Sequence, residues 1–344
     1  MSDRVDVAVI GAGVMGAATA RALAHTGREV VVFERREVGN TFGSSHGTAR
    51  IFRTSYPDPI FVQMATEARR LWDRLSDECG RRLLSACPAI NTGHAVADVA
   101  QAVGLGSGGG RWLQEGEIRE MFPSSRLAPG QVAFLEPGAG IISADLALQA
   151  FIQGAVRRGA CLREHSTVES VRPSGGGVEI VADGAVVRAR TAVVTAGPWA
   201  KDLLHASGID LPVRPSRETV SHYQAPAGAV PILIDWNEPL RYCLPTPDGL
   251  LKGGEHIAGP QADPEGQRNI DEDSVERTTR WLGERFDQIT APIRSENCFY
   301  TNTSDENFIL ARYGPIIVGS PCSGHGFKFA PLIGQRLAAL ASEV

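Results

Sequence analysis

Three lysines stand out in a sequence whose basic residues are otherwise all arginines: Lys201, Lys252 and Lys328. Arginine can replace a solvated lysine at little cost, because both carry a positive charge on a flexible stem. A lysine that persists is therefore a candidate for chemistry that arginine cannot do, since a buried lysine is a compact charge that can lose its proton. Lys328 lies in a glycine-flanked turn, and its role is the first question. The alternative is that all three lysines are chance survivors.

Lys252 lies in a segment that favours a strand, because the paired residues Gly253 and Gly254 disfavour helix. With a period of two, Lys252, Gly254 and His256 point to one side, and the missing side chain at Gly254 leaves space between two bases. This pattern predicts a cavity wall. A solvated lysine on an edge strand and an ordinary core histidine are the alternatives.

A second group of polar residues lies at 43–53, where small residues such as Ser44 are joined to His46, Arg50 and Arg53. If a helix begins at Ala49, Arg50 and Arg53 share one face at a spacing of three and form a two-pronged anion site. The alternative is a solvated basic face.

The elements that must position these residues begin with a βαβ unit. An apolar run at 5–10 leads into the fingerprint Gly11, Gly13 and Gly16, a helical stretch to about His25, and a second strand at 29–34 that ends in Glu34. The glycines let a pyrophosphate approach the backbone at the helix N-terminus, and Glu34 can accept hydrogen bonds from a ribose. The unit predicts a dinucleotide site, and a tight turn without a ligand is the alternative.

Farther along, Asp183-Gly184 between two apolar runs predicts a hairpin, and a short strand at 192–195 ends at Gly197, where a backbone can come close to a ligand. The pattern changes at 86–144 and 213–299 to short strands, prolines and acidic loops, with a flexible tract at 106–110. We therefore predict a discontinuous nucleotide-binding domain (1–85, 145–212 and 300–344) and a substrate domain (86–144 and 213–299).

Composition restricts the class of protein. The 344 residues are 43% hydrophobic and 21% charged, with a net charge of −5, which favours neither nucleic acid nor a membrane surface as partner. Residues 1–4 lead directly into the first strand without a charged and apolar leader, so we expect a cytoplasmic protein. The six cysteines and eight histidines show no metal-ligand spacing, so reduced thiols and no metal are expected.

Taken together, these motifs resemble the family of monomeric sarcosine oxidase, N-methyltryptophan oxidase and pipecolate oxidase, within the D-amino-acid-oxidase-like flavoenzymes. The resemblance covers nearly the whole chain, and its specific parts are the glycine fingerprint, the segment 43–53, Lys252 with His256, the sequence Cys298-Phe-Tyr-Thr, and the turn 323–328. It implies an α/β fold: a Rossmann-type βαβ domain that binds FAD, with an inserted α+β substrate domain built on a mixed sheet.

The resemblance also implies residue roles. Cys298 matches the cysteine that binds the flavin covalently through a thioether, and Lys252 matches the lysine near flavin N5 that helps O2 accept electrons. Arg53 and Lys328 match the pair that holds the substrate carboxylate. Arg50 and His46 match groups close to the flavin ring. Tyr242, Tyr300 and His256 match residues that line the family's substrate cavity. The implied contacts to FAD also include those of Gly11, Gly13, Gly16, Glu34, Ser44, Gly197, Gly326, Phe327 and Lys328.

The implied reaction is the oxidation of a secondary amino acid, N-methyl or cyclic. A hydride passes from the carbon beside nitrogen to flavin N5, the imine hydrolyses in water, and O2 is reduced to H2O2. The expected partners are this small substrate and O2, and the expected assembly is a monomer. The alternatives are a flavin dehydrogenase or desaturase that passes electrons elsewhere, and a non-catalytic FAD-binding subunit. An ordinary NAD dehydrogenase would share the βαβ unit but would not need Cys298 or the 323–328 turn.

Three departures from the family pattern leave the substrate open. Thr48-Ala49 stands where sarcosine and N-methyltryptophan oxidases usually have Asp-Thr, and the segment 308–312 replaces the usual acidic stretch. The chain also ends 16 residues after Lys328, without the longer tail of the family. A reshaped entrance would favour a bulkier or cyclic substrate.

Overall fold

The computed structural model describes residues 5–105, 109–128 and 130–343. The N-terminal residues 1–4, and residues 106–108 of the tract predicted to be flexible, lie outside the described residues. The strands, in chain order, are β1 (Val5–Ile10), β2 (Val30–Phe33), β3 (Ala49–Phe52), β4 (Leu84–Ala86), β5 (Ala89–Thr92), β6 (Arg111–Leu113), β7 (Ala133–Glu136), β8 (Gly140–Ser143), β9 (Cys161–Arg163), β10 (Val168–Ser174), β11 (Gly177–Ala182), β12 (Ala185–Val194), β13 (Arg214–Gln224), β14 (Ile232–Asp235), β15 (Arg241–Pro245), β16 (Leu250–Glu255), β17 (Arg294–Asn302), β18 (Ile309–Tyr313) and β19 (Ile316–Ser320). The helices are α1 (Val14–His25), α2 (Pro59–Cys79), α3 (Val96–Leu105), α4 (Glu115–Met121), α5 (Ala144–Val156), α6 (Ala200–His205), α7 (Glu272–Arg285) and α8 (Ala330–Ser342), with short 3₁₀ turns at Gly197–Trp199 and Phe327–Phe329.

The chain divides into two compact units. The first unit comprises Met1–Gly47, Ala144–Pro215 and Phe299–Val344, and the second comprises Thr48–Ser143 and Ser216–Cys298. The sequence assigned 48–85 to the nucleotide-binding domain, and this assignment is wrong. Strand β3 pairs with β8, and β4 pairs with the same strand, so this segment is held in the second unit by hydrogen bonds to distant residues.

A mixed sheet with a parallel centre forms the core of the first unit. Strand β1 pairs in parallel with β2 on one side and with β12 on the other, and β12 continues to β19. Helix α1 packs against α5 and α8. The predicted βαβ opening is therefore confirmed, because its apolar runs are buried on both faces of a parallel sheet, as such strands require.

Strands β11 and β12 form the predicted hairpin at Asp183 and Gly184, both of which have positive φ. The two runs at 185–189 and 192–195 were predicted as separate strands, and the structure joins them. Strand β12 is long because its first half pairs with β11 and its second half with β19.

The second unit is built on an eight-stranded sheet with the order β17-β13-β16-β15-β14-β5-β7-β6. One face packs on α7, with Tyr223 and Leu251 in the same apolar cluster as Trp281 and Leu282. The opposite face carries another apolar cluster that includes Leu244. Within the described residues, no helix combines the length and the apolar character needed to cross a membrane.

Candidate active site

The glycine fingerprint forms a tight turn between β1 and α1. Gly11 has φ +94°, and a Cβ atom at Gly16 would lie 1.8 Å from the carbonyl oxygen of Gly11, so neither position accepts a side chain. Gly13 has φ −62° and precedes the first residue of α1, and a Cβ there would lie 3.1 Å from Ser45 Oγ. Backbone without side chains at the N-terminus of a helix is the cradle that a pyrophosphate needs, so these residues fit FAD.

Glu34 lies beside this turn at the end of β2. Its carboxylate accepts hydrogen bonds from Ala12 N–H at 2.9 Å and from Arg36 N–H at 3.1 Å. Burial raises the pKa of Glu34, and the N–H donors of Arg36 and Ala12 act in the opposite direction. These bonds orient the carboxylate next to the turn, where a ribose of FAD would meet it.

Two residues near the turn were not predicted as contributors. The hydroxyl of Thr195 donates to the carbonyls of Ile10 and Gly11, both at 3.1 Å, and Ser45 Oγ accepts from Val14 N–H at 3.0 Å. Thr195 closes the end of β12 onto the end of β1, two residues before Gly197, which has φ +55°. The proximity of Thr195 to Gly197 in the sequence was the available signal.

The segment after Glu34 reaches the strand that carries the predicted flavin-linked cysteine. Ser44 Oγ donates to the carbonyl of Phe299, the residue after Cys298. His46 is buried, and Gly47 N–H donates to Asp145 Oδ1 at 3.0 Å. Ser44 and His46 therefore stand in the loop between β2 and β3, with Ser44 tied to the backbone next to Cys298.

The turn that carries Lys328 is closely packed. Gly324 has φ +71°, and a Cβ there would lie 2.1 Å from Tyr300 Cε2. Lys328 is buried, and its Nζ donates to the carbonyl of His325 at 2.9 Å. The turn and Tyr300 therefore hold Lys328 in one place.

The other turn residues explain part of the departure from the family pattern at 308–312. A Cβ atom at Gly326 would lie 1.7 Å from the carbonyl oxygen of Pro321, and Phe327 begins a 3₁₀ turn. The ring of Phe308 lies 4.9 Å from that of His325 and 5.4 Å from that of Phe329. Phe308 thus supports the lysine turn by aromatic packing.

Lys252 lies on β16, inside the sheet of the second unit. It is 7% exposed, and its Nζ lies 4.0 Å from Glu296 Oε1. The pKa of Lys252 is lowered to about 8, first because burial disfavours the ammonium ion and then because Arg50 is also positive. Cys298 and Glu296 raise it. Arg50 and Cys298, predicted separately from Lys252, thus both affect its pKa, and all three residues lie in the second unit.

Gly254 and Tyr242 are cross-strand partners on β16 and β15. A Cβ at Gly254 would lie 3.2 Å from Tyr242 Oη and 3.1 Å from Val220 Cγ1. The hydroxyl of Tyr242 therefore occupies the space beside Gly254. His256 follows the last residue of β16, and its main-chain N–H donates to Leu240 O at 2.8 Å, so the strand contains Lys252 and Gly254 but not His256.

The two arginines at 50 and 53 do not share a helical face, and that prediction is wrong. Arg50 lies in β3 and Arg53 follows its last residue, because residues 49–52 pair with β8. Residues three apart in a strand point to opposite sides. The two-pronged arginine site on one helix is therefore replaced by two separately placed cations.

Arg53 is buried between two aromatic rings. Its guanidinium carbon lies 4.0 Å from the ring centre of Tyr56 and 4.7 Å from that of Trp236. The buried carboxylate of Glu136 accepts hydrogen bonds from Thr54 and Ser55, which fixes the loop after Arg53. The two rings and a hydrogen bond from Arg53 Nη1 to the carbonyl of Ser55 hold the guanidinium in place.

The fold and these residues define a flavoenzyme, and comparison with known proteins agrees. The family described as DAO, FAD dependent oxidoreductase, matches residues 6–340, and the chain belongs to this family. The predicted family, its fold and the prediction of an FAD-dependent amine oxidoreductase are thereby confirmed.

Relatives that match over nearly the whole chain show which members of the family it resembles. The chain is 31% identical to a protein of Homo sapiens named peroxisomal sarcosine oxidase, over 99% of this chain and 93% of that protein. It is 30% identical to N-methyl-L-tryptophan oxidase of Yersinia pestis, over 98% of this chain and 95% of that protein. Among solved structures, NikD, described as an unusual amino acid oxidase essential for nikkomycin biosynthesis, superposes with a TM-score of 0.90 at 26% identity, covering 99% of this chain and 94% of that one.

Proposed function

We propose that this protein is an FAD-dependent oxidase of a secondary amino acid, N-methyl or cyclic. The observation that carries the proposal is the buried cation Lys252, whose pKa responds to Arg50 and to Cys298 within one unit. The names of the relatives support amine oxidation, since two of them are oxidases of N-methyl amino acids by name. In this reaction the amine loses two electrons and two protons to become an imine, and O2 gains them to become H2O2.

Each residue contributes binding or charge. Arg53, oriented by Tyr56 and Trp236, binds the substrate carboxylate, and the resemblance gives Lys328 of the first unit the same role. Bound FAD supplies the two-electron acceptor for the C–H bond beside the substrate nitrogen. Lys252 supplies a fixed positive charge for O2 as it becomes negative, which is the electrostatic role of an oxyanion site. Water then hydrolyses the released imine.

We further propose that Cys298 holds FAD covalently through a thioether. The hydrogen bond from Ser44 to the carbonyl of Phe299 supports this, because it fixes the backbone beside the cysteine. Acid precipitation of the purified protein tests the linkage. We expect a yellow pellet from the natural protein and from Cys322→Ser, a control with another half-buried cysteine, and a colourless pellet from Cys298→Ser. A colourless pellet from the natural protein would overturn the covalent linkage but not the binding of FAD.

The activity is tested by mixing the purified holoenzyme with a panel of secondary amino acids, sarcosine, N-methyltryptophan and pipecolate among them, first without oxygen and then in air. An oxidase loses its yellow colour without oxygen, regains it quickly in air, and releases one peroxide per substrate consumed. Slow recovery in air would overturn the oxidase and favour a dehydrogenase, and a flavin that no amine bleaches would support a non-catalytic subunit.

A further inference from the structure

Lys252 belongs to a row of polar side chains that crosses three neighbouring strands. In the sheet order, β16, β13 and β17 are adjacent, and Lys252 is the cross-strand partner of His222 on β13. His222 Nε2 lies 3.1 Å from Glu296 Oε1 on β17, and the same oxygen lies 4.0 Å from Lys252 Nζ. One carboxylate oxygen is therefore shared by a histidine and a lysine.

The hydrogen bonds of His222 fix which of its nitrogens carries the proton. Arg294 Nη2 lies 3.4 Å from His222 Nδ1, and a guanidinium can only donate, so Nδ1 must accept. Nε2 then carries the proton and donates to Glu296. His222 therefore orients the Glu296 carboxylate through Nε2.

The charge of Glu296 becomes more important once Cys298 reacts. Cys298 and Glu296 raise the pKa of Lys252, whereas Arg50 and Arg294 lower it. A cysteine linked to flavin as a thioether can no longer form a thiolate. In the proposed holoenzyme, Glu296 is then the group of this set that still opposes the two arginines.

We propose that Glu296 is a positioning residue for Lys252: held by His222, its carboxylate keeps the lysine ammonium charged and in place while O2 is reduced. This inference rests on the proposed function, because it presupposes the role of Lys252 in oxygen reduction. It assigns a function to two residues, Glu296 and His222, that sequence motifs did not single out.

The test is the rate at which the chemically reduced holoenzyme is reoxidised by O2, measured from pH 6 to pH 10. Substrate ionisation does not enter, because no substrate is present. The natural enzyme should lose rate as pH rises through the pKa of Lys252, which is about 8 with a free Cys298 and lower once the thioether removes that group. In Glu296→Gln the midpoint should move down by about one pH unit, since an opposite charge at this distance favours the ammonium form. Well below both midpoints the two rates should agree within about twofold, because the lysine is charged in both proteins.

Controls separate this effect from a general change of charge or structure. Glu276→Gln removes the same charge from an exposed position on α7 and should leave the midpoint where it is. Glu296→Asp keeps the negative charge, so its midpoint should lie close to that of the natural enzyme. His222→Gln should move the midpoint in the same direction as Glu296→Gln. It replaces Glu296→Gln as the test variant if Glu296→Gln does not retain flavin.

The two proposals fail in different ways. If Lys252→Met is reoxidised as fast as the natural enzyme, the role of Lys252 in the proposed function is wrong. If Lys252→Met is slow but Glu296→Gln and His222→Gln keep the natural midpoint, the role of Lys252 stands and the positioning role of Glu296 is overturned.

Discussion

Lys252 and Lys328 are buried to nearly the same degree, at 7% and 6% exposure, but their surroundings differ. Lys328 lies in a turn with positive φ angles and donates to a main-chain carbonyl, which holds the ammonium without neutralising its charge. Lys252 lies inside a sheet, where a carboxylate and two guanidinium groups act on its charge. The turn thus fixes the position of the Lys328 ammonium through a main-chain bond, whereas the charges around Lys252 change its proton affinity.

The largest expected effect comes from Lys252→Met. Loss of the ammonium should slow reoxidation of the reduced enzyme by O2 by about 10²–10³-fold, the usual result of removing one group that stabilises developing negative charge. Reduction by substrate should change far less, since in the proposed function Arg53 and Lys328 bind the substrate carboxylate. Stopped-flow absorbance of the two half-reactions checks this, and an equal loss in both would end the distinction between the lysines.

Lys328→Met should affect binding instead. The affinity for a carboxylate-bearing substrate should fall by about 10–100-fold, which corresponds to the roughly 1.5–3 kcal/mol of a hydrogen bond to a charged group. Reoxidation by O2 should be preserved. Lys201→Met, at an exposed position of α6, is the control and should change neither quantity. If Lys328→Met abolishes reoxidation instead, the two buried lysines have been assigned in reverse.

The pH dependence of the natural enzyme sharpens the comparison. The pKa of Lys252 is about 8 with a free Cys298 and lower once the thioether forms. Lys252 is charged below this pKa and neutral above it, so reoxidation should fall by up to about tenfold per pH unit above the pKa. Rapid mixing of reduced enzyme with oxygenated buffers across this range measures the midpoint. A rate that stays flat to pH 10 would contradict control by Lys252.

The smallest expected effects are on stability, from substitutions of one glycine in the segment of each buried lysine. In Gly324→Ala the new Cβ meets the ring of Tyr300 at a positive φ, and we expect a loss of about 1–3 kcal/mol in the free energy of unfolding. In Gly254→Ala the nearest atoms lie 3.1 Å and 3.2 Å away at φ angles open to alanine, so the loss should be smaller. Thermal unfolding of the two variants measures both losses. A larger loss in Gly254→Ala would contradict the expectation that the turn at Gly324 tolerates a side chain less well than the sheet at Gly254.

Local patterns predicted much of the first unit. The strand at 5–10, the helix after Gly13 and the hairpin at Asp183-Gly184 follow from neighbouring residues, because apolar runs and turn residues act over short distances. The strand at 49–52 did not follow, since its hydrogen bonds go to residues 140–143, about 90 positions away. A helix at that point satisfied the local pattern equally well.

The candidate site divides in the same way. Lys252 and Arg50 stood out from the residue pattern itself, and Cys298 was found through the resemblance to a family. Their grouping in one unit came only from the structure. Glu296 and His222 carry no motif and are separated by 74 residues, so nothing in the sequence connects them. Their adjacency depends on the order of β13 and β17 in the sheet. Pairing of distant strands is therefore the information that the sequence patterns lacked.

The burial of two of the three lysines has a practical consequence for chemical modification. Lys201 is exposed on α6, while Lys252 and Lys328 lie inside their units. An amine-acylating reagent applied to the folded protein should therefore react at Lys201 before it reaches either buried lysine. The protein can thus be attached to a surface or labelled with a dye through Lys201 while both lysines of the proposed chemistry stay unmodified.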